Sequence, residues 1–259
     1  MSLLESIILG MVQGLTEFLP VSSSGHLVVL QSLLGISAPG VALEVLLHLG
    51  TLLSVLWVFR EDFKTLFSFV DNREPRRLLV LLLVGTIPTG IMGFLIRMFL
   101  KSLFEVSAAV GVMLLATGIL LYLIYLKQPG SRNISRMSFG DALWIGISQG
   151  IAVLPGISRS GATIAASLGR GLDKETAIKY SFMLSVPAIA GASLLEIAVL
   201  VRQGWEHAFG WFYVAGGVSA LIFGIVAIKF FIITLKRGKF HYFAFYCWTV
   251  GLLILFFLD

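Results

Sequence analysis

Polar side chains able to do chemistry are scarce in this chain and crowd into two short stretches: QGLTEFLPVSSSGH, from Gln13 to His26, and PGISRSGAT, which carries Arg159. Gln13 and Glu17 are one turn apart, so a helix ending near Pro20 sets both on one face. An acid at membrane depth has to be paired, hydrated or bound to metal. Glu17 is therefore a candidate acid–base group or cation ligand, with a protonated structural glutamate as the plain alternative. Ser22, Ser23, Ser24, Gly25 and His26 follow the break at Pro20. One serine is expected to cap the next helix, but three hydroxyls, a glycine and an imidazole exceed what a cap needs. Open helix amides suit a phosphate. A serine beside a histidine or carboxylate has the parts of an activated nucleophile, and His26 is a candidate acid–base group as well as a candidate core histidine.

Arg159 adds a guanidinium whose planar fork matches phosphate oxygens, at a depth where burying it is costly. The competing reading is an ion pair with Glu17 or Glu196. Ser158, Ser160, Gly161 and Thr163 surround Arg159 as candidate phosphate-binding groups, although capping accounts for the hydroxyls nearly as well. Elsewhere, Glu44 and His48 share a helix face, Glu196 and Lys229 read as snorkelling residues near span ends, and Gly85, Pro88, Gly90 and Gly93 read as close helix packing. An acid, hydroxyls, a histidine, an arginine and two sets of helix amides together suit a phosphoryl group, whose transfer is mostly positioning and charge stabilisation. Their depth implies that the rest of the substrate is lipid.

Composition dictates what must hold these groups. The 259 residues are 58% hydrophobic and 13% charged, with a mean hydropathy of +0.96, against roughly 25% charged in soluble domains. A soluble protein is excluded, and an all-α integral membrane protein follows. Six stretches read as spans, at about 41–59, 78–96, 106–126, 178–200, 211–234 and 242–258. Residues 1–35 and 138–170 are apolar but broken by Pro, Gly and Ser. Irregular backbone at membrane depth must be buried in protein or line a wet cavity, so each is read as a re-entrant helical hairpin. With the loop after the first span inside, fourteen Lys and Arg residues fall in inner loops and Arg97, Lys101 and Arg202 in outer ones. That bias sets the orientation, with both termini outside. Basic residues are scattered and form no stripe, which excludes nucleic acid as a partner. Cys247 is alone and supports neither a disulfide nor a thiolate metal site. The start, MSLLE, lacks the basic residues of a cleaved signal.

An internal repeat sharpens the layout. GMVQGLTEFLPVSSSG (10–25) aligns with GISQGIAVLPGISRSG (146–161), keeping Gln-Gly and Ser-Gly at a constant spacing of 136 residues. Each unit, about 1–126 and 138–258 within a single membrane domain spanning 1–259, carries one hairpin and three spans. Three is odd, so the second unit starts from the opposite side, and the predicted fold is an inverted-topology repeat whose breaks meet near the midplane.

The two stretches together resemble the signatures of the bacterial undecaprenyl-diphosphatases, also called bacitracin resistance proteins, and the resemblance spans the whole chain. It implies hydrolysis of undecaprenyl diphosphate to the monophosphate with a divalent cation, Mg²⁺ or Ca²⁺, recycling the lipid carrier for peptidoglycan. It also implies six spans with two re-entrant hairpins, and a cleft open to the outer side of the bacterial plasma membrane among its lipids. By motif, the family's acidic pair falls on Gln13 and Glu17, its proposed nucleophile on Ser23, its histidine on His26 and its phosphate-clamping arginine on Arg159. Many members carry glutamate where this chain has Gln13, so Glu17 is the one carboxylate of the pair left to hold a metal. Ser23, His26 and a water activated by Glu17 all stay open as nucleophile. A transporter or flippase of a lipid phosphate is the rival function, since inverted repeats with broken helices also build carriers. A homodimer is one possible assembly.

Overall fold

The computed structural model describes residues 1–36, 41–66, 72–100, 106–128, 130–203 and 210–257. Among them run eleven α-helices: α1 (Leu3–Phe18), α2 (Ser23–Leu33), α3 (Val41–Val58), α4 (Arg60–Leu66), α5 (Arg73–Phe99), α6 (Ser107–Leu126), α7 (Phe139–Ile151), α8 (Arg159–Gly169), α9 (Lys174–Gln203), α10 (Trp211–Lys236) and α11 (Tyr242–Phe257). The extended pairing among these residues is a single parallel bridge between Arg132 and Leu172. Five helices, α3, α5, α6, α9 and α10, are long and apolar enough to cross a membrane, which makes this a multi-pass membrane protein. The sixth expected span corresponds to α11, whose 16 residues rise about 24 Å against a hydrocarbon core of roughly 30 Å; its predicted end at 258 lies outside the described residues. Lys101, assigned to an outer loop, also lies outside them. Helices α5 and α9 overrun the predicted spans 78–96 and 178–200. Both carry polar turns beyond the apolar stretch and keep Pro88 and Pro187 in their interiors.

Two helix–break–helix units are built alike. Each opens on a capping box, in which a serine hydroxyl accepts from the third helical amide and the acid there accepts from the serine's own amide. Ser2 and Glu5 form the first at 3.2 and 2.7 Å, Ser138 and Asp141 the second at 3.1 and 2.9 Å. Pro20, lacking an N–H, stops α1 at Phe18. The 136-residue spacing read from the sequence carries Ser2 onto Ser138, the start of α2 at Ser23 onto the start of α8 at Arg159, and the end of α2 at Leu33 onto the end of α8 at Gly169.

Packing follows the same correspondence. Helix α1 lies against α10, and its counterpart α7 lies against α5; α3 packs on α10 as α9 packs on α5. The backbones nearly touch: a Cβ at Gly10 would sit 2.1 Å from the Gly216 oxygen, and one at Gly146 would sit 2.1 Å from the Gly85 oxygen. Gly85, Pro88 and Gly93 lie at packed surfaces as expected, while a Cβ at Gly90 would meet none of the described residues within 4 Å. Each break is pinned from a neighbouring helix. Thr117 of α6 donates to Gly156 O (3.1 Å) and accepts from Ser158 N (3.2 Å), and Cys247 of α11 donates to Pro20 O (3.4 Å). Gly156 has φ +92°, and a side chain there would strike Val110.

Basic residues assigned to the inner side tie one end of the molecule together. Arg77 donates to Met137 O at 2.6 Å, Lys127 to Gly169 O at 2.8 Å and Lys174 to Lys236 O at 3.4 Å, and Lys179 pairs with Asp62 at 2.5 Å. Buried Asp141, in the first turn of α7, accepts from Arg132 Nη1 (2.9 Å) and from Arg170 Nε just beyond α8 (2.7 Å). The second hairpin therefore returns to the end from which it starts.

Candidate active site

Glu17 lies in the last turn of α1 with its carboxylate bonded on both oxygens. Oε1 accepts from Arg159 Nη2 at 2.7 Å, while Oε2 accepts from Ser23 Oγ at 2.6 Å and Gln13 Nε2 at 3.0 Å. The Glu17 and Arg159 side chains are 10% and 14% exposed. Arg159 also sits 5.8 Å over the Phe18 ring, within cation–π range. Three elements thus converge: α1 supplies the acid, the first turn of α2 the hydroxyl, and the first turn of α8 the guanidinium. The breaks themselves touch, since Ser160 Oγ donates to Leu19 O at 3.1 Å.

Two buried atoms in this cluster, Arg159 Nη1 and Gln13 Oε1, have no hydrogen-bond partner among the described residues. Buried polar atoms are seldom left so. One is a spare donor suited to a phosphate oxygen, the other a spare acceptor suited to a hard cation. Among the described residues, no three His, Cys, Asp or Glu side chains gather into a metal cage. A cation carried mainly by phosphate oxygens and its own waters needs no such cage, so Glu17 with Gln13 Oε1 fits as a sparse ligand set.

The remaining candidates divide by where their polar groups go. Ser158 caps α8 by accepting from Gly161 N at 3.2 Å, Ser160 joins the two breaks, and Thr163 donates back to Arg159 O at 3.0 Å. Hydroxyls inside helices commonly bond the preceding turn in this way. Gly161 lies against Pro20, and Gly25 lies against Val110 of α6. Ser22 precedes α2 without capping it, which leaves the first amides of α2 without a side-chain cap. Its hydroxyl and that of exposed Ser24 lie 3.3 Å apart. His26 turns away from Ser23: its Nδ1 lies 2.8 Å from Ser22 O and its Nε2 lies 2.7 Å from Tyr246 Oη.

Sequence reasoning did not single out Tyr246, which sits 220 positions further along the chain than His26 in an aromatic-rich helix. It also misassigned Glu196. That side chain is 12% exposed and faces His48 Nδ1 at 3.8 Å and Arg97 Nη2 at 3.5 Å, so it is held by a charge cluster within the helix bundle and does not snorkel. The i,i+4 pairing of Glu44 with His48 was the available signal for that cluster. Lys229 is exposed. At the base of the second hairpin, burial works against the Asp141 charge, but hydrogen bonds from Arg132, the Ser138 amide and Arg170 outweigh it and hold the carboxyl below the usual range. A cavity of about 100 Å³ bordered by Ile124, Lys127, Leu168 and Lys174 shares no lining residue with the Glu17 cluster.

Apolar helices around one buried carboxylate–guanidinium–serine cluster, assembled from two interrupted hairpins, define a multi-pass membrane protein with an internal polar site. The family described as bacitracin resistance protein BacA matches residues 6–253, and the chain belongs to that family. It is 45% identical over 255 residues to a protein named undecaprenyl-diphosphatase from Halothermothrix orenii, covering 98% of each chain. It is 42% identical over 270 residues to one of the same name from Desulforapulum autotrophicum, covering 98% of this chain and 97% of that one. A protein named undecaprenyl-diphosphatase 4 from Bacillus thuringiensis is 40% identical over 255 residues, with 98% and 97% covered.

Proposed function

We propose that this chain is an undecaprenyl-diphosphatase that cleaves phosphate from undecaprenyl diphosphate inside the membrane and returns undecaprenyl phosphate for peptidoglycan synthesis. Family membership and the names of its relatives support the substrate. The observation that carries the chemistry is Arg159 Nη1, buried and without a partner among the described residues, beside a carboxylate that already holds a serine hydroxyl.

In this reading the terminal phosphate docks on Arg159 and the uncapped amides of α2, which carry partial positive charge. The Glu17 carboxylate then exchanges its guanidinium counterion for the Ser23 proton. Ser23 Oγ bonds to the terminal phosphorus as the bridging P–O bond breaks, and undecaprenyl phosphate leaves with that bridging oxygen and its electron pair. Glu17 hands the Ser23 proton to the departing undecaprenyl phosphate, then takes one from the attacking water and passes it to Ser23 Oγ as the phosphoseryl ester breaks and phosphate leaves. The bonded Ser23–Glu17 pair favours Ser23 over His26 as nucleophile, because both ring nitrogens of His26 are engaged elsewhere. Glu17 and Gln13 would hold a divalent cation, Mg²⁺ or Ca²⁺. Such an ion supplies neutralisation of diphosphate charge.

The proposed topology counts α3, α5, α6, α9, α10 and α11 as spans and the two hairpins as re-entrant from opposite leaflets, in a plasma membrane with the cleft open outward. The exchange of packing partners under the 136-residue correspondence, the return of the second hairpin to its own end, and the basic residues gathered there support it. The same pseudo-symmetry favours lipid-phosphate transport as the second reading.

Purified protein in detergent micelles, where no second compartment exists, separates the two. The expected result is phosphate release from a C55 diphosphate lipid that EDTA suppresses, with Glu17→Ala and Arg159→Ala each losing at least about 100-fold in kcat/KM. Absence of release in micelles together with movement of lipid phosphate in sealed vesicles would reject hydrolysis.

A further inference from the structure

Ser22 is the one residue other than glycine with a positive φ among those described, at +66° with ψ 100°. Backbone in such a region costs on the order of 1–3 kcal/mol and persists only where the surroundings fix it. It directly precedes Ser23, whose hydroxyl reaches Glu17 at 2.6 Å. What holds Ser22 is its carbonyl: it accepts from the His26 backbone amide at 3.3 Å and contacts the His26 ring at Nδ1, 2.8 Å away.

A carbonyl oxygen can only accept, so Nδ1 must carry the proton. In the neutral ring Nε2 is then a bare acceptor, and it faces the Tyr246 hydroxyl at 2.7 Å. That hydroxyl donates. The His26 and Tyr246 rings lie nearly parallel, 7° apart, with centroids 5.5 Å apart, so the contact fixes ring orientation. A linked series results: Tyr246 Oη–H to His26 Nε2, His26 Nδ1–H to Ser22 O, the strained Ser22 peptide, then Ser23 aimed at Glu17. It joins α11, near the end of the chain, to the candidate nucleophile near its start.

We propose that Tyr246 and His26 are positioning residues: the Tyr246 hydroxyl, donating to Nε2, holds the Nδ1–H imidazole in the orientation that clamps the Ser22 carbonyl and so aims Ser23. His26 carries no proton to or from substrate. This rests on the hydrolase reading for its role in turnover, while the clamp itself is a statement about geometry.

A double-mutant cycle in the purified full-length protein tests it. Asparagine can place an amide N–H where His26 presents Nδ1–H and has no Nε2 for Tyr246 to hold. His26→Asn is therefore expected to recover most of the activity lost in His26→Ala. Tyr246→Phe, which removes only the hydroxyl, is expected to lower kcat about 5–10-fold, the worth of one hydrogen bond, with KM unchanged. In the His26→Asn background the same change should have no further effect. An asparagine variant as inactive as the alanine one, or a Tyr246→Phe loss of equal size in both backgrounds, overturns the proposal.

Melting temperatures of wild type, the Tyr246→Phe and His26→Asn variants and the double variant read the clamp without turnover. The Tyr246→Phe penalty should appear with His26 in place and vanish in the His26→Asn background. A wild-type protein that releases no phosphate, but shows this coupled melting, rejects the hydrolase reading and keeps the clamp. An active wild type with additive melting shifts rejects the clamp.

Discussion

At Ser22, stability and aim are in opposition. Its φ of +66° is easy for glycine and costly for serine, so Ser22→Gly is expected to raise stability by about 1 kcal/mol. The freed backbone would leave Ser23 less firmly directed at Glu17, and kcat should fall even as the melting temperature rises. Thermal unfolding and turnover of the same preparation check both halves, and a variant with unchanged melting would show that the turn stores no strain. The residues of this cluster differ greatly in how visible they are in sequence. Glu17, Ser23 and Arg159 stand out because charge and clustered hydroxyls are expensive in an apolar segment. Tyr246 does not, because a tyrosine at 44% exposure in an aromatic helix looks like any other interfacial ring. Glu196 was misread for a related reason: position near a span end says nothing about whether His48 and Arg97 arrive from other helices to meet it.

The positions of the apolar spans were legible and the limits of their helices less so, and the caps that set two of the starts went unread. Ser2 with Glu5 and Ser138 with Asp141 are local signals that need only the chain itself. The ends of α5 and α9 depend on caps and partners outside the apolar stretch, and hydropathy alone stops short of them. The interior prolines survive because neighbouring helices and local adjustment can satisfy the freed carbonyls. Glycine content alone did not distinguish packing from open surface either. Gly146 leaves no room for a side chain beside Gly85, while a Cβ at Gly90 meets nothing within 4 Å among the described residues. Gly146→Leu is therefore expected to abolish the monodisperse, folded fraction in detergent, whereas Gly90→Leu should shift the melting temperature by no more than a few degrees. Size-exclusion profiles and thermal unfolding of the two variants make the comparison, and equal behaviour would mean that the α5–α7 approach is not a constraint.

Across the whole molecule, the repeat was readable from Gln-Gly and Ser-Gly spacing, and the structure extends it to capping boxes, helix starts and exchanged packing partners. Asp141 shows where the repeat is broken by local needs: its counterpart Glu5 is partly exposed, while Asp141 is buried between Arg132 and Arg170. Because its folded carboxyl lies below the ordinary range, its contribution is fully present above the unfolded value of about 3.9 and is lost as pH falls through the lower folded one. The melting-temperature gap between wild type and Asp141→Asn should thus be constant from pH 5 to 8 and narrow below about pH 4. A gap that closes between pH 6 and 8 would assign it to another group. The Glu17–Arg159 pair has a consequence for biogenesis. Its two charges lie 142 positions apart, so a nascent chain inserts an uncompensated acid long before the arginine is synthesised. A polypeptide truncated between them leaves that acid without its arginine partner, and membrane proteases would clear it faster than the completed protein.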